Sequence, residues 1–149
     1  MSIKINYSSK KISKPLANII LFSNENFKLD NLKQHLLESE FSYIKDLLKT
    51  SDLKKNLFIF EVNSKKKIVL ISIKNDLKVS DVENLGAEFY RRINNGKNSE
   101  YFLISDSVKS KIQNFLGHFL HGLKLKSYEF KKYKTKKETR VISINITGN

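Results

Sequence analysis

"SDVENLGAEFYRRINNGKNSEYFLIS", residues 80–105, carries two periodicities in succession. Val82, Leu85, Phe89 and Ile93 recur at spacings of three and four, which puts them on one face of a helix. Ser80, followed three residues later by Glu83, predicts a capping box at its start, and "NNGK" (94–97) predicts its end. "EYFLIS" (100–105) is then a short apolar run bounded by polar residues, the pattern of a buried strand. An amphipathic helix handing over to a buried strand is the repeating unit of an α/β domain.

The same reading extends to both sides. "NLFIFEV" (56–62) and "KIVLISI" (67–73) are apolar runs separated by "NSKKK", which predicts an antiparallel hairpin, in the centre of a sheet because neither run alternates. Upstream, Ile3 and Ile5 alternate with Lys4 and Asn6 as a half-buried strand, and "LANIILFS" (16–23) predicts a more buried one with Pro15 at its start. Leu36, Leu37, Phe41, Ile44, Leu47 and Leu48 form a helical stripe between them and the hairpin. Downstream, Asp106 or Ser107 is expected to cap a helix through Val108, Ile112, Phe115, Leu116, Phe119 and Leu120 that Gly122 ends, and "RVISINI" (140–146) alternates as a last strand. The order predicts one α/β domain over residues 1–149, with a mixed sheet of about six strands sandwiched between helices.

Composition limits the function classes. There is no cysteine, so disulfides and thiolate metal sites are excluded. The longest apolar runs fall far short of the ~20 residues that span a bilayer, so no membrane partner and a cytoplasmic location are expected. The formal net charge is +13, but it rests on 25 lysines against three arginines, beside 16 isoleucines and 15 asparagines. Those are residues of A/T-rich codons, and arginine is the residue preferred for bidentate phosphate recognition, so the charge alone is weak evidence for an anionic partner.

The candidate sites are few. His118 and His121 lie three apart, a spacing that can put two imidazoles on one helix face, but "NFLGHFLHGL" supplies no further ligand. Glu38 and Glu40, Asp76 and Asp81, Glu83 and Glu88 read as solvated charge on helix surfaces or turns, and no G-x-S-x-G elbow occurs. Neither glycine-rich phosphate motif is present, and Gly86, Gly96, Gly117, Gly122 and Gly148 read as helix-packing or helix-ending glycines. No catalytic, cofactor-binding or metal-ligating residue is assigned.

The densest charge lies between Lys124 and Arg140, with eight basic and two acidic residues and a local net charge of +6. Tyr128, Phe130 and Tyr133 interleave with it, a combination that single-stranded nucleic acid can use; Lys131, Lys132, Lys134, Lys136 and Lys137 are the candidate contacts. The alternative is an extended segment whose Tyr128 and Phe130 share one face and pack on the domain, with the lysines solvated and protecting an edge.

"FLHGLKLKSYEFKKYKTKKE" (119–138) resembles the end of the amino-terminal domain of the leucyl (cytosol) aminopeptidases, a dizinc metallopeptidase family. The residues that carry the resemblance are Gly122, Leu125, Tyr128, Phe130, Tyr133, Lys134, Thr135 and Lys136; "LGAEFYRRINNGKNSEYFLIS" (85–105) and "RVISINI" look like neighbouring segments of that domain. His121 and Lys131 stand where the family usually has acidic residues, and "IVLISIKND" (68–76) lacks glycines usual there. The resemblance implies a macro-domain-like fold and a non-catalytic role in assembly and active-site access. It implies as partners the protein's own catalytic domain and homo-oligomer subunits in a hexamer. Two divalent metals, zinc or manganese, would belong to a carboxy-terminal domain beyond Asn149, whose motifs N-T-D-A-E-G-R and G-K-G-(I/L)-x-F-D-(S/T)-G-G do not occur in these residues. No peptidase activity is expected of residues 1–149 alone. A basic nucleic-acid-binding module and a macro-type ADP-ribose binder are the competing readings.

Overall fold

The computed structural model describes residues 2–8, 18–24, 26–27, 30–52, 54–63, 66–93, 99–110, 112–132 and 141–147. Six strands form one sheet: β1 (Ser2–Ser8), β2 (Asn18–Asn24), β3 (Leu57–Asn63), β4 (Lys66–Ile73), β5 (Ser99–Ile104) and β6 (Val141–Thr147), in the order β1-β6-β5-β2-β4-β3. All neighbouring pairs are parallel except β3 with β4, so the sheet is mixed, with one antiparallel strand at its edge. The helices are α1 (Glu38–Lys49), α2 (Val79–Ile93) and α3 (Phe115–Lys132), in the predicted order among the strands.

The innermost strands have no polar face. β2 is buried from Ile19 to Ser23 and β4 is buried throughout except Lys67, as parallel strands covered on both sides must be. On one face Ile20, Val69, Ile71, Leu103, Ile142 and Ile144 meet Val82, Leu85, Phe89, Phe119 and Leu123 of α2 and α3. On the other, Leu21, Phe60, Ile68 and Leu70 meet Ile44 and Leu48 of α1. The hairpin therefore forms, but only β4 is central; β3 is the edge, because β2 already occupies β4's other side.

The helix starts rest on contacts that the sequence pattern does not display. The carboxylate that caps α2 is Asp81, which accepts the Lys78 N–H at 2.9 Å; Glu83 instead pairs with Nδ1 of His121 on α3. At α1, Glu40 reaches back to the Leu37 N–H at 3.1 Å, and its other oxygen meets the Lys66 ammonium at 2.6 Å. Both side chains are only 3% exposed, so Glu40 is a buried ion-pair partner and not a solvated surface charge. The third helix starts at Phe115, not near Val108, because Ser105–Ser107 is a 3₁₀ turn and Asn114 takes a left-handed φ of 55°.

That third helix also runs straight through Gly122. Gly122 lies against Glu83 of α2 and Gly86 lies against Phe119 of α3: a Cβ on either would sit 1.9 Å from the Glu83 carbonyl oxygen or 2.0 Å from the Phe119 carbonyl oxygen. The two glycines let the helix backbones touch, which is a packing role and not a helix stop. The inward positions Phe119, Leu123 and Ser127 keep a spacing of four past Gly122. Leu125 and Tyr128 consequently turn outward, and Tyr128 is 74% exposed. It does not anchor an extended segment on the domain.

Candidate functional site

Five parallel strands bring five carboxyl ends to one rim of the sheet. The chain leaves β2 toward β4, through α1 and β3, and leaves β5 in the opposite direction, through α3 to β6. β2 and β5 are neighbours, so the strand order reverses between them, and such a reversal opens a crevice beyond the strand ends in α/β sheets.

Hydroxyl groups tie the strand ends together at that rim. Ser107, only 6% exposed, accepts the Phe22 N–H at 3.0 Å and donates to the Ile104 carbonyl at 2.6 Å; Ser105 donates to the Thr147 carbonyl at 2.7 Å. Asn24 holds the turn after β2 by accepting the Asn26 N–H at 3.1 Å on its side chain. His35, at the end of a 3₁₀ helix over Asp30–His35, lies within electrostatic reach of Asp106. Burial holds its imidazole below the ordinary histidine range, and the Asp106 carboxylate partly offsets that.

Two clefts at the end of β4 share Lys74 and Leu77. One, of about 220 Å³, sets Lys74, Asn75, Lys109 and Ser110 around an apolar base of Ile73, Leu77 and Ile112. Two ammonium groups and two neutral hydrogen-bonding side chains suit an anionic or phosphorylated small molecule. The other, of about 320 Å³, is lined by Asp76, Asp81 and Glu88 with the amides of Asn56 and Asn84. Its Asp81 is committed to the helix start.

The sequence singled out Asp76, Asp81 and Glu88 only as scattered charge, and the fold gathers them. Lys74 and Lys109 were not singled out at all: they are 35 residues apart in the chain and meet only because β4 and the turn after β5 end on the same rim. Among the described residues His118 and His121 gain no third ligand, and His121 pairs with Glu83 instead. No group of three histidine, cysteine or acidic side chains among the described residues could hold a metal ion, so the residues do not fit a metal centre. Lys131 and Lys132 fall in the last turn of α3, while Tyr133, Lys134, Thr135, Lys136 and Lys137 lie outside the described residues. No described helix is long and apolar enough to cross a membrane.

No family model matches the chain, and no curated protein does. Among solved structures, a mutant of tomato leucine aminopeptidase superposes on 99% of this chain with a TM-score of 0.63 and 15% identity. The match takes in 32% of that enzyme's chain, so this sequence spans about a third of its length. The macrodomain of Thermus aquaticus DarG superposes on 99% of this chain and on all of its own, with a TM-score of 0.61 and 8% identity. At these identities the likeness is one of fold: the chain is a macro-domain-like α/β domain, of a kind also found within a leucine aminopeptidase.

Proposed function

We propose that this chain is a non-catalytic domain of a leucyl aminopeptidase, with its role in assembly and in shaping access to an active site carried elsewhere. The observation that supports the reading best is the superposition of nearly the whole chain on a third of a leucine aminopeptidase, together with the signature running from Gly122 to Lys136. The parent would hydrolyse amino-terminal residues from peptides, with two metal ions activating water in the remaining two thirds. No catalytic step is derived within this chain. Residues 1–149 with added zinc or manganese are expected to show no turnover of leucyl-anilide; turnover would end the proposal.

A second reading, a macro-type ligand-binding domain, is favoured by the full-length likeness to the DarG macrodomain and by the cleft between Lys74 and Lys109. Calorimetric titration with ADP-ribose separates the two. Binding that Lys74→Ala and Lys109→Ala each weaken about tenfold would support the ligand-binding reading, on the strength of charge-assisted hydrogen bonds; no heat from the wild type would dispose of it.

A further inference from the structure

The two edges of the sheet are protected to different degrees. β1 is one edge, and it carries the exposed Lys4 at mid-strand. β3 is the other: between Leu57 and Val62 it has no proline, and its one charge, Glu61, stands near the strand's end. Charged residues, prolines and bulges are the usual devices that stop an edge from recruiting another strand. The irregularity in β3 comes only at Glu61–Asn63, at the strand's end. Phe58, Ile59 and Val62 remain only partly buried although they pack on the two cores.

The backbone directions follow from the pairing with β4. The Ser72 N–H donates to the Asn56 carbonyl at 2.8 Å, so Asn56 faces β4. Antiparallel ladders alternate, so Phe58 and Phe60 also face β4, while Leu57, Ile59 and Glu61 turn their N–H and C=O groups outward. Among the described residues no strand pairs with that outer side.

We infer that β3 is a homodimer interface, at which two copies of this chain join edge to edge into one continuous sheet. An antiparallel two-fold pairing is self-complementary in one register in particular. With Phe58 on the two-fold axis, Leu57 faces Ile59 of the second copy, and outward groups meet outward groups in about four backbone hydrogen bonds. The same register brings Lys55, in the turn that leads into β3, toward Glu61 of the second copy, and symmetry repeats the pair. Both side chains are exposed in the single chain, and opposite charges that face each other across an interface favour it whereas like charges oppose it. The half-covered Phe58 would lie beside its own copy, and the half-covered Ile59 beside Leu57 of the second chain. This inference stands independently of the aminopeptidase and ligand-binding readings.

The test is the solution mass of the 149-residue protein as a function of concentration, by sedimentation or light scattering. The mean mass is expected to climb from 17.4 kDa toward twice that value. Lys55→Glu places two carboxylates opposite each other and is expected to weaken association at least tenfold; adding Glu61→Lys reverses the pair and restores it. Ile59→Pro removes an outward N–H that the β4 ladder does not use, a position where an edge strand tolerates proline, and is expected to leave a folded monomer. If that variant does not fold, the charge reversal decides alone, since its residues are on the surface. A monomer at every concentration overturns the inference. So does a dimer that Lys55→Glu leaves unchanged, or a double variant that stays monomeric.

Discussion

At the scale of single residues, the titrating groups give the sharpest expectations. Tyr101, 2% exposed, is pushed up to about 12 by burial, so its contribution to stability is intact below the ordinary tyrosine range near pH 10. That contribution is lost as pH rises from about 10 to about 12, because the unfolded chain ionises first. Alkaline unfolding curves of Tyr101→Phe are expected to be flatter than wild type across that window. His35 has the opposite sense: held below its ordinary value, it favours the folded state above about pH 6.5 and that advantage fades as the pH falls. Since Asp106 raises the His35 value, Asp106→Asn is expected to move the His35 midpoint further down in an NMR titration; an upward movement would contradict the geometry of the rim. Gly86 and Gly122 belong here too. Either one changed to alanine drives a methyl group into the facing backbone, and a loss of about 1–3 kcal/mol is expected in denaturant unfolding.

Among the elements, α1 depends on one buried contact. Glu40 and Lys66 tie its first turn to the start of β4, and removing one partner alone strands a buried charge. Glu40→Gln is expected to cost about 3–5 kcal/mol, whereas Glu40→Leu combined with Lys66→Met is expected to return most of it. Tyr128→Ala on the outer face of α3 should change stability by no more than about 0.5 kcal/mol, while Leu123→Ala on the inner face should cost about 2–5 kcal/mol. These contrasts also mark where the sequence was legible. The strands and the order of the helices stood out because strands buried on both faces leave continuous apolar runs, as in "NIILFS" and "KIVLISI". The course of α3 did not, since Gly122 looks like a helix end unless one knows that Glu83 of α2 presses against it. The inward spacing Phe119, Leu123, Ser127 was the signal that a helix continued, but the lysines and aromatics around Tyr128 also suit an extended edge. Glu40 was read as surface charge because its partner lies 26 residues away, on another element.

For the whole molecule, the rim carries what no single motif could. Lys74 and Lys109 come from separate crossovers, and only the parallel order of β4, β2 and β5 brings them to one cleft. The likenesses to an aminopeptidase and to a macrodomain follow the same architecture, one as a third of a larger chain and the other as a whole domain. They make different demands on the polypeptide in the cell. Antibody raised against residues 1–149 can capture the endogenous protein for mass determination under denaturing conditions and for a leucyl-anilide assay with added manganese or zinc. The account predicts a polypeptide roughly three times the length of this one, in proportion to the 32% share of the aminopeptidase chain that it matches, with metal-dependent turnover. A captured chain of 17.4 kDa without that activity would contradict it.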